Sequence, residues 1–85
     1  MKMPELYPAE FPIKVMGRND GRLQTHTQPI VERHAGPLPE SSIRLRLSAD
    51  GNYVALTYLV TAQSREQLDA IYRELTACES VLMAL

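Results

Sequence analysis

Cysteine is nearly missing from this 85-residue chain, and tryptophan is missing altogether. The single cysteine, Cys78, excludes an internal disulfide framework and a zinc site built on cysteines. No apolar run approaches the roughly 18 residues that a transmembrane helix needs. Nine basic residues against ten acidic ones leave a net charge of −1, without the basic excess typical of nucleic-acid-binding proteins. We therefore expect a small globular protein that binds neither nucleic acid nor membranes.

The N-terminal residues predict neither a secretory leader nor a regular element. Pro4, Glu5 and Pro8 interrupt them, and no apolar segment of a signal peptide is present. We predict a flexible arm over residues 1–10, followed by a single domain over residues 11–85.

The first strand and the first helix follow the arm. Alternation from Phe11 to Gly17 predicts a strand, with Pro12 at its start because proline cannot donate to a ladder. Sparse apolar positions over residues 22–34 predict a helix, although Pro29 lies within it. Two interpretations stay open: one helix over 22–34 with a kink near Pro29, or a regular helix that begins at this proline.

A β-hairpin gives the strongest pattern in the chain. Ile43 to Ala49 alternates apolar residues with arginine, and Tyr53 to Ala62 is rich in β-branched and aromatic residues. Asp50-Gly51 between them predicts a type I′ turn. This turn sets Leu47 opposite Val54 and gathers the apolar side chains on one face. A shift by one residue would mix the two faces, so we predict this register.

The last two elements are a helix and a short strand. Ser64 and Gln67 predict a capping box, and apolar residues at helical spacing follow it. The last strand is predicted over Ser80 to Leu85. The order strand, helix, strand, strand, helix, strand predicts an α+β ferredoxin-like sandwich, with two helices on one face of a four-stranded antiparallel sheet. Its predicted core is Ile13, Val15, Leu45, Leu47, Val54, Leu56, Val60, Leu68, Ile71, Leu75 and Val81.

Several segments match a known family in order and spacing. They are Glu10-Phe11-Pro12 with Lys14-Val15-Met16-Gly17, Arg33-His34-Ala35, Gly51-Asn52-Tyr53, and Tyr72-Arg73-Glu74-Leu75 before Val81-Leu82-Met83. Over residues 10–85 the chain thus resembles the YbeD-like family, small bacterial proteins of unknown function. It departs from the family at Pro29, where the family has an ordinary helix residue.

The resemblance implies a ferredoxin-like fold close to that of ACT regulatory domains, in a cytosolic bacterial protein. It implies no catalytic residue and no cofactor. Family members are often encoded beside a lipoyl-transfer enzyme, which hints at a partner.

The turn between the first strand and the first helix is the leading candidate ligand site. In ACT domains, to which the resemblance points, this loop holds small effectors. The candidate residues here are Gly17, Asn19, Asp20 and Gly21. Glycine permits close backbone approach, and amides at a helix N-terminus can hold a carboxylate. Asp20 would either hold an ammonium group or cap the helix. We accordingly predict a non-enzymatic regulatory or small-ligand-binding module.

The alternative function is a protein-interaction or dimerisation module that uses the open face of the sheet. Alternation places on this face Lys14, Arg44, Arg46, Tyr53 and Leu59. Helices cover only one face, so this one meets water or a partner. The long basic stems can equally cover Tyr53 and Leu59 without any partner. Unpaired edge strands add a homodimer to the expectations.

The sequence supports neither catalysis nor a metal site. His26 and His34 lack a third ligand, and no base or orienting group can be named for Cys78. We expect no enzyme, no metal and no cofactor.

Overall fold

The computed structural model describes residues 6–85, which form a four-stranded antiparallel sheet with two α-helices. The strands are β1 (Ala9–Arg18), β2 (Ile43–Leu47), β3 (Tyr53–Ala62) and β4 (Met83–Ala84). The helices are α1 (Arg22–Ala35) and α2 (Arg65–Ala77), and a short 3₁₀ turn, Glu40–Ser42, precedes β2. The strand order is β2-β3-β1-β4. The predicted ferredoxin-like fold is confirmed.

The two central strands, β1 and β3, form the longest ladder. It begins with Ala9 opposite Ala62 and ends with Arg18 opposite Tyr53. Side chains alternate between the faces of a strand, so every second residue of β1 points toward the helices. This covered face carries the core, whose buried residues are Phe11, Ile13, Val15, Leu23, Val31, Val54, Leu56, Tyr58, Val60, Ala62, Leu68, Ile71 and Leu75.

The first strand is longer than predicted. β1 begins at Ala9, so Ala9 and Glu10 belong to the sheet and not to the predicted arm. Residues 1–5 of that arm lie outside the described residues. Pro12 is an internal strand residue, which corrects the prediction that it begins the strand.

Pro12 fits inside β1 because of the direction that its backbone nitrogen faces. The Lys14 amide donates to Leu85 O (3.0 Å) on the β4 side of β1. Amide directions alternate along a strand, so the Pro12 nitrogen faces the same side. β4 pairs with β1 only at Val15 and Met16. The missing donor of Pro12 therefore faces the edge of the sheet and removes no bond to β3.

The hairpin has the predicted register but a different turn. Leu47 lies opposite Val54 and Arg44 opposite Thr57, as the alternation predicts. A type I′ turn requires positive φ at both central residues. Gly51 has φ 77°, whereas no residue other than glycine has positive φ in residues 6–85. The type I′ prediction is therefore wrong. Asp50 instead accepts a hydrogen bond from the Asn52 amide (3.0 Å).

The first helix is continuous through its proline. α1 runs from Arg22 to Ala35 with Pro29 inside, so a single helix is confirmed and a helix that begins at Pro29 is wrong, while the kink stays a prediction. Proline leaves the carbonyl four residues earlier, that of Thr25, without its helical donor. Both residues are exposed, so this carbonyl lies on the side of α1 that solvent reaches.

Three predicted core residues are not buried. Leu45 and Leu47 lie on the covered side of the sheet as predicted, but they are 57% and 50% exposed. They belong to β2, the edge strand, and the helices pack over β1, β3 and β4 instead. Val81 is only half-buried. The period of two thus identifies the face of a strand but not the extent of the helices above it.

The C-terminal elements agree with the prediction only in part. Ser64 Oγ accepts from the Gln67 amide (3.1 Å), as a capping box requires, although Gln67 Oε1 accepts from Gln63 N rather than from Ser64. β4 covers Met83–Ala84 only, which is shorter than the predicted Ser80 to Leu85. Neither α1 nor α2 is long and apolar enough to cross a membrane.

Candidate functional site

A groove with a volume of about 530 Å³ lies between α1 and the edge strand β2. Its floor is apolar and consists of Leu45, Val54 and Leu56, and Leu23 of α1 closes one side. The groove exists because the helices leave the covered side of β2 open. Its volume lies in the range of about 300–1,000 Å³ that is typical of small-molecule sites.

The wall of this groove is a row of hydrogen-bonded side chains along α1. Gln24 Nε2 donates to Gln28 Oε1 (3.0 Å), and Gln28 Nε2 donates to Glu32 Oε2 (3.3 Å). The spacing of four residues puts all three on one side of the helix. Glu32 Oε2 also accepts from the Leu38 amide (2.9 Å), which fixes the end of the row. The groove therefore offers a polar wall opposite an apolar floor.

Sequence reasoning missed this groove, although it contained a signal for it. Glutamine, glutamine and glutamate recur at positions 24, 28 and 32, which is the spacing of one helix face. The alternating leucines of β2 supply the other side. Placing the two opposite each other requires the position of α1 on the sheet, which the sequence pattern does not give.

Two of the predicted ligand residues stabilise the loop itself. Gly17 is buried in β1, and a Cβ there would overlap the backbone oxygen of Ser80. Asn19 connects the loop to the hairpin turn. Its amide donates to Asn52 O and its Nδ2 donates to Gly51 O, both at 2.9 Å.

The other two predicted ligand residues begin the first helix. Asp20 Oδ1 accepts from the amide of Arg22, the first residue of α1 (3.1 Å), but the N-cap position is Gly21 and not Asp20. Gly21 adopts φ 83°, a left-handed conformation that side chains disfavour.

The four predicted ligand residues do not form one site. Asn19 and Gly21 line the groove, Asp20 lines a separate depression of about 190 Å³, and Gly17 lines neither. Their common role as a ligand site stays a prediction, while their structural roles are visible.

The open face of the sheet is strongly basic. The registers place on it Lys14, Arg44, Arg46, Tyr53 and Leu59, as the alternation predicts. Tyr53 and Leu59 are 44% and 40% exposed.

The cations on this face form no ion pair with any residue of 6–85. Arg18 joins the three basic residues Lys14, Arg44 and Arg46, and Glu10 is the one carboxylate that the strands place there. Ion pairs within residues 6–85 involve other side chains. Like charges that are neither paired nor buried create a positive potential over this face.

The two histidines lie at opposite ends of α1, and the one near its start, His26, contacts a serine. His26 Nδ1 is 2.5 Å from Ser80 Oγ, a contact that sequence reasoning did not predict. A catalytic serine needs its base to be oriented by a third group. No side chain among residues 6–85 hydrogen-bonds to the other nitrogen of His26, so the pair does not form a triad. The contact links α1 to the segment that leads into β4.

The second histidine joins the two helices. His34 Nε2 and Arg33 of α1 both contact the carboxylate of Glu74 on α2. The hydrogen bond from His34, followed by that from Arg33, lowers the pKa of the Glu74 carboxyl. All three are partly or fully exposed. Within residues 6–85 no three His, Cys, Asp or Glu side chains are grouped to hold a metal ion.

Comparison with protein families gives a match over nearly the whole chain. The family described as "Protein of unknown function (DUF493)" matches residues 5–85. A UPF0250 protein of Chromobacterium violaceum is 43% identical over 79 residues, covering 93% of this chain and 89% of the relative. A UPF0250 protein of Bordetella pertussis is 47% identical over 70 residues, covering 81% of this chain and 76% of the relative. The predicted YbeD-like membership is confirmed, since YbeD belongs to UPF0250.

Among solved structures, the chain is similar to the C-terminal domain of the MgtC protein from Mycobacterium tuberculosis. The TM-score is 0.66 at 16% identity, and the match covers 96% of this chain and 89% of that one. At this identity the likeness concerns the fold alone.

Proposed function

The chain belongs to the DUF493 family of proteins of unknown function, and from this premise we propose that it is a non-enzymatic binding module. In this proposal the module is regulatory, as ACT domains are, and works in the bacterial cytosol. Its ligand is a small amphipathic molecule that occupies the groove between α1 and β2.

The observation that carries the proposal is the exposure of Leu45 on the floor of the groove. The half-exposed Leu45 gives the groove an apolar surface, and the side-chain amides of Gln24 and Gln28 give it a polar one. Small-molecule sites combine these two kinds of surface. The apolar part of the ligand would lie on Leu45, Val54 and Leu56. Its polar group would meet the amides of Gln24 and Gln28, which hold hydrogen-bonding capacity beyond the bonds they make with each other.

This location modifies the predicted ligand site in the β1–α1 turn. The turn contributes one end of the groove through Asn19 and Gly21. Asp20 and Gly17 act in the proposal as supports that hold the loop and the start of α1 in place.

Two-dimensional amide NMR with pools of amino acids, nucleotides and lipoyl compounds tests the groove. We expect one pool to give saturable shifts at residues 23–32 and 45–56. Leu45→Glu should abolish them, because it puts a charge on the apolar floor. Leu82→Glu is the matched control, since Leu82 is equally exposed at 58% and lies outside the groove. Shifts that map elsewhere, or no shifts in any pool, would contradict the proposal.

The open face supports a second candidate function, the binding of an acidic protein surface. It rests on the four cations of that face, which have no ion-pair partner among residues 6–85. Lys14→Glu with Arg18→Glu should abolish binding to immobilised polyglutamate. The same reversal at Arg65 and Arg73 of α2 should leave binding unchanged. Equal losses in both variants would show a general charge effect and would remove this candidate.

A further inference from the structure

We propose that the free edge of β2 binds a partner as an added strand, and that the partner segment alternates apolar with acidic residues. This goes beyond the groove ligand and the open face, because the backbone of β2 forms the contact. The partner is a strand of a different protein and not a second copy of this chain.

The backbone of β2 is open toward the edge of the sheet. The Ser48 amide donates to Tyr53 O (2.9 Å), toward β3. Because these directions alternate, the N–H and C=O groups of Leu45 and Leu47 point away from β3. In the strand order, no strand of residues 6–85 lies beyond β2. Such an unpaired row is a template for another strand.

The side chains of β2 determine which residue types fit in the added strand. Leu45 and Leu47 are 57% and 50% exposed on the side of the helices, and Leu45 lines the groove. Arg44 and Arg46 project on the other side without ion-pair partners in residues 6–85. Residues directly opposite in a ladder share a face and interact. Apolar residues therefore fit opposite the leucines, and carboxylates fit opposite the arginines.

A second copy of this strand does not meet that requirement. Consider two antiparallel copies of residues 43–47 with their leucines on the same face and at least three residues paired. Centring the pair on Arg44 sets Arg44 against Arg44, and centring it on Arg46 sets Arg46 against Arg46. Centring it on Leu45 sets Arg44 against Arg46 twice. Like charges directly opposite destabilise a ladder, so every such register is disfavoured.

Binding of synthetic peptides to the full chain tests this inference. The probe alternates glutamate with valine, and its control replaces glutamate with lysine. We expect the glutamate peptide to bind about tenfold more tightly than its control, with amide shifts centred on residues 43–47. Arg44→Glu with Arg46→Glu should invert this preference. Arg44→Gln with Arg46→Gln, a milder change, should remove it.

A backbone-modified peptide separates strand addition from general attraction. The same glutamate peptide with N-methyl groups on the amides that would face β2 should lose binding. If it binds as well as the unmodified peptide, the contact is electrostatic and strand addition is wrong. Absence of binding, or shifts away from residues 43–47, would also overturn the inference. The inference would also be overturned if sedimentation showed a concentration-dependent dimer and the amide NMR shifts on dimerisation lay in β2. Lys14→Glu, which reverses a charge of the open face away from the edge, should leave the preference intact.

Discussion

Tyr58 Oη lies 2.7 Å from Thr27 Oγ1, and this contact joins the central strand β3 to α1 inside the core. Both side chains are fully buried. Thr27 Oγ1 donates its single proton to Leu23 O (2.7 Å), so Tyr58 is the donor in the contact between the two hydroxyls. Buried hydroxyls need such partners, because an unpaired one costs about 1–3 kcal/mol.

This contact predicts a non-additive pair of substitutions. Thr27→Val leaves the Tyr58 hydroxyl buried without an acceptor, and we expect it to lower the free energy of unfolding by about 1–3 kcal/mol. Tyr58→Phe should cost about 1 kcal/mol. The double variant should be no less stable than Thr27→Val alone, because no unpaired hydroxyl remains. Urea denaturation of the four proteins measures the coupling, and strictly additive losses would contradict it.

Alkaline pH should weaken the fold through the buried Tyr58 and the half-buried Tyr72. Burial raises the pKa of Tyr58, and it raises the pKa of Tyr72 to about 12. A group whose pKa is raised by folding stabilises the protein below its unfolded pKa of about 10, and this contribution is lost as pH rises toward the folded value. We expect stability to fall above pH 10, measured by thermal unfolding at a series of pH values.

The control for the alkaline experiment is the exposed Tyr53. Tyr58→Phe combined with Tyr72→Phe should flatten the decline above about pH 10, the ordinary tyrosine pKa. Tyr53→Phe should leave the decline as it is, since this ring is 44% exposed. A decline that persists unchanged in the double variant would assign it to other groups.

Gly17 and Gly21 should respond differently to asparagine. At Gly17 any side chain overlaps the Ser80 carbonyl, so Gly17→Asn should cost at least about 1–3 kcal/mol, the usual range for overpacking. At Gly21 the space is open and only the positive φ constrains the residue, a conformation that asparagine tolerates. Gly21→Asn should therefore cost much less. Comparable losses at both sites, measured by chemical denaturation, would be inconsistent with this account.

The two paired leucines of the hairpin should differ in the same way. Leu45 and Leu56 lie opposite each other, yet Leu45 is 57% exposed and Leu56 is 1% exposed. Leu56→Ala should cost about 2–5 kcal/mol, as buried leucines do. Leu45→Ala should change the free energy of unfolding by about 0.5 kcal/mol or less, which is typical of surface positions. A loss at Leu45 as large as that at Leu56 would mean that another element covers β2.

The same pair of leucines shows what the sequence could predict. The alternation of β2 gives the register, because a shift of one residue would put arginine into the core. It gives the shared face of Leu45 and Leu56 for the same reason. It does not give their different burial, since burial depends on where α1 and α2 cross the sheet. Those positions follow from three-dimensional packing, and no local period records them.

The turn and the candidate site depart from prediction for related reasons. Asp50-Gly51 is typical of a type I′ turn, but the Asp50 carboxylate instead accepts from Ser48 Oγ (2.7 Å) and from the Asn52 amide. These bonds are typical of aspartate in a turn and compete with the two-residue form. The groove depends on side chains from three elements. Its polar row could be recognised from the sequence, but its position opposite β2 could not.

The β1–β3 ladder has a consequence for how the chain is synthesised. The strand that leaves the ribosome first, β1, pairs with a strand that ends only at Ala62. Until then Phe11, Ile13 and Val15 have no sheet to join, whereas the β2–β3 hairpin can close locally. Contacts between distant segments form late and slow folding. The hydrogen-bonding edge of β1 therefore stays unpaired until β3 has been synthesised, which makes this strand a segment that needs shielding from other nascent chains.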